Sequence, residues 1–150
     1  MNWMILPYKR YFDFSGRSRR MEYWMFTLFC VIVAFVMIAL MLAGGLSFAS
    51  FVTPEAAQMS IGPMVFLGGG LLGLFWLGTI IPSIAVVVRR LHDRDMSGWW
   101  YLGIVVASMI PLIGVIASIA FIVLMLLPGT PGPNRFGPDP KDPTNAEVFA

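Results

Sequence analysis

Charge is what this sequence has least of. Residues 23–54, 56–88 and 96–134 contain no Asp, Glu, Lys or Arg. Charged residues make up 12% of the chain and hydrophobic ones 58%, whereas soluble domains carry roughly 25% charge. A soluble core of 150 residues could not absorb that much apolar surface without large exposed patches, so lipid is the better solvent. Cysteine is almost absent. The single Cys30 sits inside an apolar run, which excludes a disulfide or cysteine–zinc framework and leaves it as a small buried apolar residue. There is no internal repeat and no heptad pattern. No phosphate-cradling loop is present, because GTPGPN at 129–134 lacks the lysine and the strand–helix setting of a P-loop. No serine or cysteine has a nucleophile's partner spacing. The first apolar run follows a long segment with five cations and two acids, Asp13 and Glu22, unlike a short secretory leader, and is expected to be a retained anchor.

The charges that exist are concentrated. RRLHDRD at 89–95 packs three arginines, the only histidine and two aspartates into seven residues. Three segments are expected around it. Residues 1–21 interleave Trp3, Tyr8, Tyr11, Phe12 and Phe14 with Lys9, Arg10 and Asp13, which suits a cytoplasmic segment at headgroup level. Pro7 and Gly16 limit any helix there to the stretch between them. Residues 22–127 form a transmembrane helical domain, and residues 128–150 a Pro/Gly-rich polar tail of turns and extended chain, disordered at its end.

Within the apolar domain the first span is predicted at 22–44, with Glu22 meeting the positive end of the helix dipole, within pairing distance of Arg19, and Gly44-Gly45 ending the helix. Thr53-Pro54-Glu55 predicts a short helix over 56–59. The second span is predicted at 64–88. Gly69 and Gly73, four apart, would let another helix approach closely, and Pro82 predicts a kink. The third run, 99–127, holds 29 residues interrupted by Pro111 and Gly114. As one helix it would be about 43 Å long, against a hydrocarbon core of about 30 Å. One kinked span is the preferred reading, with the tail outside. The rival is two half-helices turning at 111–114, with the tail inside.

Positive charge orients the chain. Five Lys or Arg precede the first span, none lies between the first two, and three follow the second. The N-terminus and the 89–95 knot are therefore expected in the cytoplasm and the Glu55 loop outside. Tyr23, Trp24, Trp99 and Trp100 flank the same basic segments and are candidate interfacial aromatics.

Arg17, Arg20, Glu22, Arg89, Arg90, His92 and Asp93 form the candidate charged cluster. Its first reading is structural: cation–carboxylate pairs, including Arg89 with Asp93 and Glu22 with Arg89 or Arg90, fixing the register between helices. Its second is a site for an anionic lipid headgroup or small molecule, since arginine forks match phosphate oxygens. His92, Asp93 and Asp95 are metal-ligand types, but three neighbouring arginines make poor company for a cation. No cofactor, metal or catalytic residue is assigned. The spans offer only Thr27, Thr79, Ser83, Ser108 and Ser118 as polar groups, which argues against a charged transport path.

Three motifs resemble one family. Gly16-Arg17 with Arg20-Met21-Glu22-Tyr23-Trp24, then Arg89-Arg90-Leu91-His92-Asp93 with Ser97-Gly98-Trp99-Trp100, then the stretch from Gly129 to Pro140, resemble in order the motifs of a bacterial inner-membrane family known as domain of unknown function 805. The resemblance covers nearly the whole chain. It implies a small polytopic inner-membrane protein and supplies no reaction. The fold class is thus all-α, a polytopic membrane protein of about three spanning helices, the third kinked or broken at Pro111. The implied partners are membrane lipids and other membrane proteins or a second copy, with no nucleic acid.

Overall fold

The computed structural model describes residues 2–44, 52, 53, 55 and 62–142. Among the described residues five helices follow one another: α1 (Leu6–Lys9), α2 (Arg20–Ala43), α3 (Pro63–His92), α4 (Trp99–Ser108) and α5 (Ile113–Leu126). No β-strand forms among the described residues, where the one bridge joins Asn134 and Gly137. Pro7 sits in the first turn of α1, where its missing N–H costs nothing. The short helix expected over 56–59 and the end of the tail lie outside the described residues.

α2 and α3 are long and apolar enough to cross a membrane. At 24 and 30 residues they measure about 36 and 45 Å. Both leave large apolar side chains exposed, such as Phe35, Leu74 and Leu77. α3 runs on through Pro82 and carries Arg89, Arg90 and His92 in its last turn.

The third apolar run is broken, and not a continuous kinked helix. α4 has 10 residues and α5 has 14, about 15 and 21 Å, so neither reaches across a core of about 30 Å. They pack against each other as a hairpin. The cause is local. Pro111 cannot donate to the preceding turn, and Leu112 takes a left-handed φ of 66°, which no helix tolerates. Gly114 makes the reversal possible: a Cβ there would stand 2.6 Å from the Ser108 carbonyl oxygen. The half-helix alternative therefore replaces the preferred kinked span.

The chain divides into two compact units, 27–80 and the pair of stretches 1–26 and 81–150. In the first, Gly68 faces Met41 and Gly44 faces Met64 so closely that a Cβ on either glycine would collide. Phe29 and Phe75 meet with centroids 6.3 Å apart. The close approach thus uses Gly68 and Gly44. Nothing lies within 4 Å of a Cβ at Gly70 or Gly73, and at Gly69 the contact would be ordinary, so the expected Gly69–Gly73 pair is not where the helices meet. In the second unit Val87, Leu91 and Met125 form an apolar centre, with Tyr23, Trp24, Tyr101 and Phe121 packed on it. Around that centre lies the charged layer.

Candidate functional site: a buried charged layer

The layer begins in the N-terminal segment. Asp13 accepts from Arg10 through Nε at 2.9 Å and Nη2 at 2.7 Å. Its other oxygen accepts from the Ser15 amide and hydroxyl. Partial burial would raise the Asp13 carboxyl, but the Ser15 and Arg10 hydrogen bonds outweigh it and hold it below the usual range. Gly16 then turns with φ 73°, a conformation favouring glycine, and delivers Arg17 and Ser18 to the end of α3. There the Ser18 amide donates to the Arg89 carbonyl at 3.1 Å.

Two carboxylates receive most of the buried cations. Glu22, fully buried, accepts from Arg89 Nη2 at 2.7 Å and from the Ser18 hydroxyl at 2.8 Å. Arg89 Nη1 also donates to the carbonyls of Arg10 and Asp13. Asp93 accepts from Arg17 on one oxygen, at 3.0 Å, and from Arg90 on the other. Sequence spacing suggests Arg89 for Asp93 and Arg19 for Glu22. Neither pair forms: Arg89 turns to Glu22, Asp93 takes Arg90 one residue nearer, and Arg19 reaches the Pro140 carbonyl. The reason is rotational, since positions 89 and 90 lie about 100° apart on the helix and face different neighbours. Arg17, Glu22, Arg89, Arg90 and Asp93 are all buried. Two desolvated carboxylates facing three guanidinium groups make an arrangement whose loss of any one member leaves a charge stranded.

The tail closes the layer. Arg17 donates to the carbonyls of Gly132 and Thr130, both at 2.6 Å, Arg20 to Leu126, Arg90 to Leu127 and Arg94 to Pro128. Thr130 returns its amide to the Asp93 carbonyl at 2.8 Å, and a Cβ on Gly129 would collide with the Asp93 carboxylate. Sequence reasoning missed this role of the tail. Its signal is the proline content: proline keeps its carbonyl and has no N–H, so such a segment holds surplus acceptors for arginine donors.

His92 is held apart from the ion pairs. Its Nδ1 lies 3.2 Å from the Gly16 carbonyl, which can only accept, so Nδ1 carries a proton. Its ring stacks on Phe136, with centroids 3.9 Å apart and planes 4° from parallel. Asp95 pairs with Arg135 at the surface. His92, Asp93 and Asp95 thus face three different partners. Of the candidate aromatics, Trp99 and Trp100 are exposed, whereas Tyr23 and Trp24 are half-buried against the apolar centre.

The chain is similar to known proteins along most of its length. The model of the family described as "Protein of unknown function (DUF805)" matches residues 11–138. The chain belongs to the DUF805 family. It is 37% identical over 145 residues to the Inner membrane protein YhaI of Escherichia coli strain K12, covering 97% of this chain and all of that one. It is 39% identical over 142 residues to the Inner membrane protein YhaH of the same strain, covering 94% and 98%. With the Uncharacterized protein YiiR of that strain the identity is 28% over 149 residues, covering 87% and 88%. No solved structure matches. The DUF805 match runs from the N-terminal segment to the tail, so it takes in every residue of the charged layer named above except Arg10 and Pro140.

Proposed function

We propose that this chain is a non-enzymatic structural or interaction component of the bacterial inner membrane, and that its charged layer is a clasp holding the N-terminal segment, the end of α3 and the tail together. One observation carries the reading. The buried guanidinium groups spend their donors on Glu22, Asp93 and backbone carbonyls within the chain. Among the described residues, Arg89 and Arg90 each keep only Nε without a partner, and both atoms are shut off from solvent. A substrate phosphate would find no open fork there. The similarity to the inner membrane proteins YhaI and YhaH supports the location.

The layer also suggests a topology. Residues 1–26 and 81–150 hold all ten Lys and Arg and seven of the eight acids, a net charge of +3. Positive charge collects on the cytoplasmic side. In this reading the N-terminus, the 89–95 knot and the tail are all cytoplasmic, α2 and α3 span, the α4–α5 hairpin enters and leaves on one side, and Glu55 is external. Membrane lipids and other membrane proteins or a second copy are the partners it allows.

The test separates function from folding. Abundance and complementation of a deletion are measured for Glu22→Gln, Arg89→Gln and His92→Phe. A clasp predicts that activity follows abundance in every variant, with His92→Phe close to wild type. Full abundance with lost complementation in His92→Phe would point to chemistry at the ring and overturn the reading. An impermeant thiol reagent applied to intact cells carrying Glu55→Cys or Asp95→Cys, in a Cys30→Ala background, tests the topology. Labelling at 95 with protection at 55 would reverse it.

A further inference from the structure

Beside the clasp, and unused by it, runs a groove of about 690 Å³ between α3 and α4. Ile84, Val88 and His92, four residues apart on α3, form one wall, and Trp99, Leu102 and Val105 of α4 form the other. Gly98 sets the two walls against each other, since a Cβ there would stand 2.8 Å from Val88 Cγ1. The groove is amphipathic along its length. His92 and Ser97 line one end and Ile84 and Val105 the other, about 12 Å away at helical rise. At the polar end the Ser97 oxygen lies 3.5 Å from the Trp99 amide, which leaves its hydroxyl proton free to donate outward. Trp99, 77% exposed, rims the same end as an interfacial ring would.

We infer that this groove holds one acyl chain of an anionic phospholipid, with the phosphate at the Ser97–His92 end. Three features select that occupant. The walls are apolar where a chain would lie and polar where a headgroup would begin. The unit that contains the groove carries net charge +3, complementary to an anionic headgroup. The volume falls within the roughly 300–1,000 Å³ of small-molecule sites. The inference deepens the membrane reading above by naming a lipid partner. It does not depend on which face is cytoplasmic, so the labelling result and the lipid result can fail separately.

The test uses full-length protein purified in detergent. Phosphatidylglycerol and phosphatidylcholine are titrated separately and followed by native mass spectrometry and thermal shift. Wild type should hold one phosphatidylglycerol, with phosphatidylcholine about tenfold weaker. Val88→Trp and Leu102→Trp fill the groove and should each weaken phosphatidylglycerol by about tenfold or more. Ile119→Trp, equally bulky but on exposed α5, should leave it unchanged. Ser97→Ala, too small a change to unfold the chain, should weaken both phospholipids, since both carry the phosphate that the hydroxyl meets. Dodecyl phosphate should compete and glycerol phosphate should not. Equal binding of the two phospholipids, or unchanged binding in both groove-filled variants, overturns the inference. So does a lipid-free dimer that Leu102→Trp abolishes, which would make a second copy the occupant.

Discussion

Residues 27–80 and the unit made of 1–26 and 81–150 hold themselves together by opposite means. In the first the contacts are apolar and close: Met41 on Gly68, Met64 on Gly44, Phe29 beside Phe75. Lipid tails are as apolar as those side chains, so no hydrophobic force drives the helices together and only close van der Waals contact distinguishes partner from solvent. In the second a small apolar centre is surrounded by directed contacts, from guanidinium to carboxylate and carbonyl. The difference teaches where each unit should be fragile. The apolar unit should suffer from added bulk at its contact glycines, and the charged unit from subtraction of a single charge.

The largest effect expected is at Arg89. Arg89→Gln leaves Glu22 buried with only Ser18 as partner, and a stranded buried charge costs about 3–5 kcal/mol. Glu22→Gln alone should cost a similar amount by stranding Arg89. The double variant should lose clearly less than the two losses added. Thermal unfolding in nanodiscs reads all three, and strict additivity would show that the pair does not act as a unit.

The apolar unit supplies the next contrast. Gly68→Ala puts a methyl group 2.5 Å from Met41 Cγ and should cost about 1–3 kcal/mol as the helices separate. Gly70→Ala, with nothing within 4 Å, should change stability by less than about 0.5 kcal/mol. Equal effects at the two positions would mean that helix contact is not what holds this unit.

These contrasts also mark what the sequence made legible. The two long helices follow from uncharged runs with few alternatives. So does the interruption at Pro111, although whether it kinks or reverses the chain depends on the left-handed φ of Leu112, which no residue pattern announces. Glu22 is recognisable as a buried acid in need of a cation because it opens an apolar helix near many arginines. Which arginine answers it was not legible, since Arg89 and Arg90 differ only by a rotation about the helix axis. The tail was the least legible part. Its contribution is made mostly by carbonyls, which every residue has, so only the excess of proline hinted at it.

A smaller effect is expected at the surface. Arg135 and Asp95 pair at 3.1 Å, but their side chains are 61% and 46% exposed. Arg135→Gln should therefore cost about 0.2–1 kcal/mol at low salt, and less as salt screens the pair. A loss comparable to that of Arg89→Gln would mean that the Arg135–Phe136–His92 stack, and not the ion pair, anchors the tail.

The smallest effect concerns the turn that shapes the tail. Asp139 accepts the Lys141 amide at 2.9 Å and the Gly132 amide at 3.0 Å. The Lys141 amide bond, chiefly, holds its carboxyl below the ordinary value of 3.8. A carboxyl depressed on folding stabilises the fold fully above its unfolded value, and that contribution disappears as pH falls through the lower folded value. Neutral and mildly acidic solutions should therefore leave the turn intact. Below the ordinary carboxylate range the two amides should lose protection from hydrogen exchange together, once intrinsic rates are divided out. Asp139→Asn should remove that acid-dependent step while leaving the Arg17 bonds to Thr130 and Gly132 in place, because those use main-chain carbonyls that do not titrate. If instead the Gly132 and Lys141 amides stay protected in acid, or if Asp139→Asn leaves them as protected at neutral pH as in the wild type, then the carboxylate charge is not what shapes this turn. The tail would then be held by the Arg17 and Arg94 bonds to its carbonyls and by the Thr130 amide on Asp93.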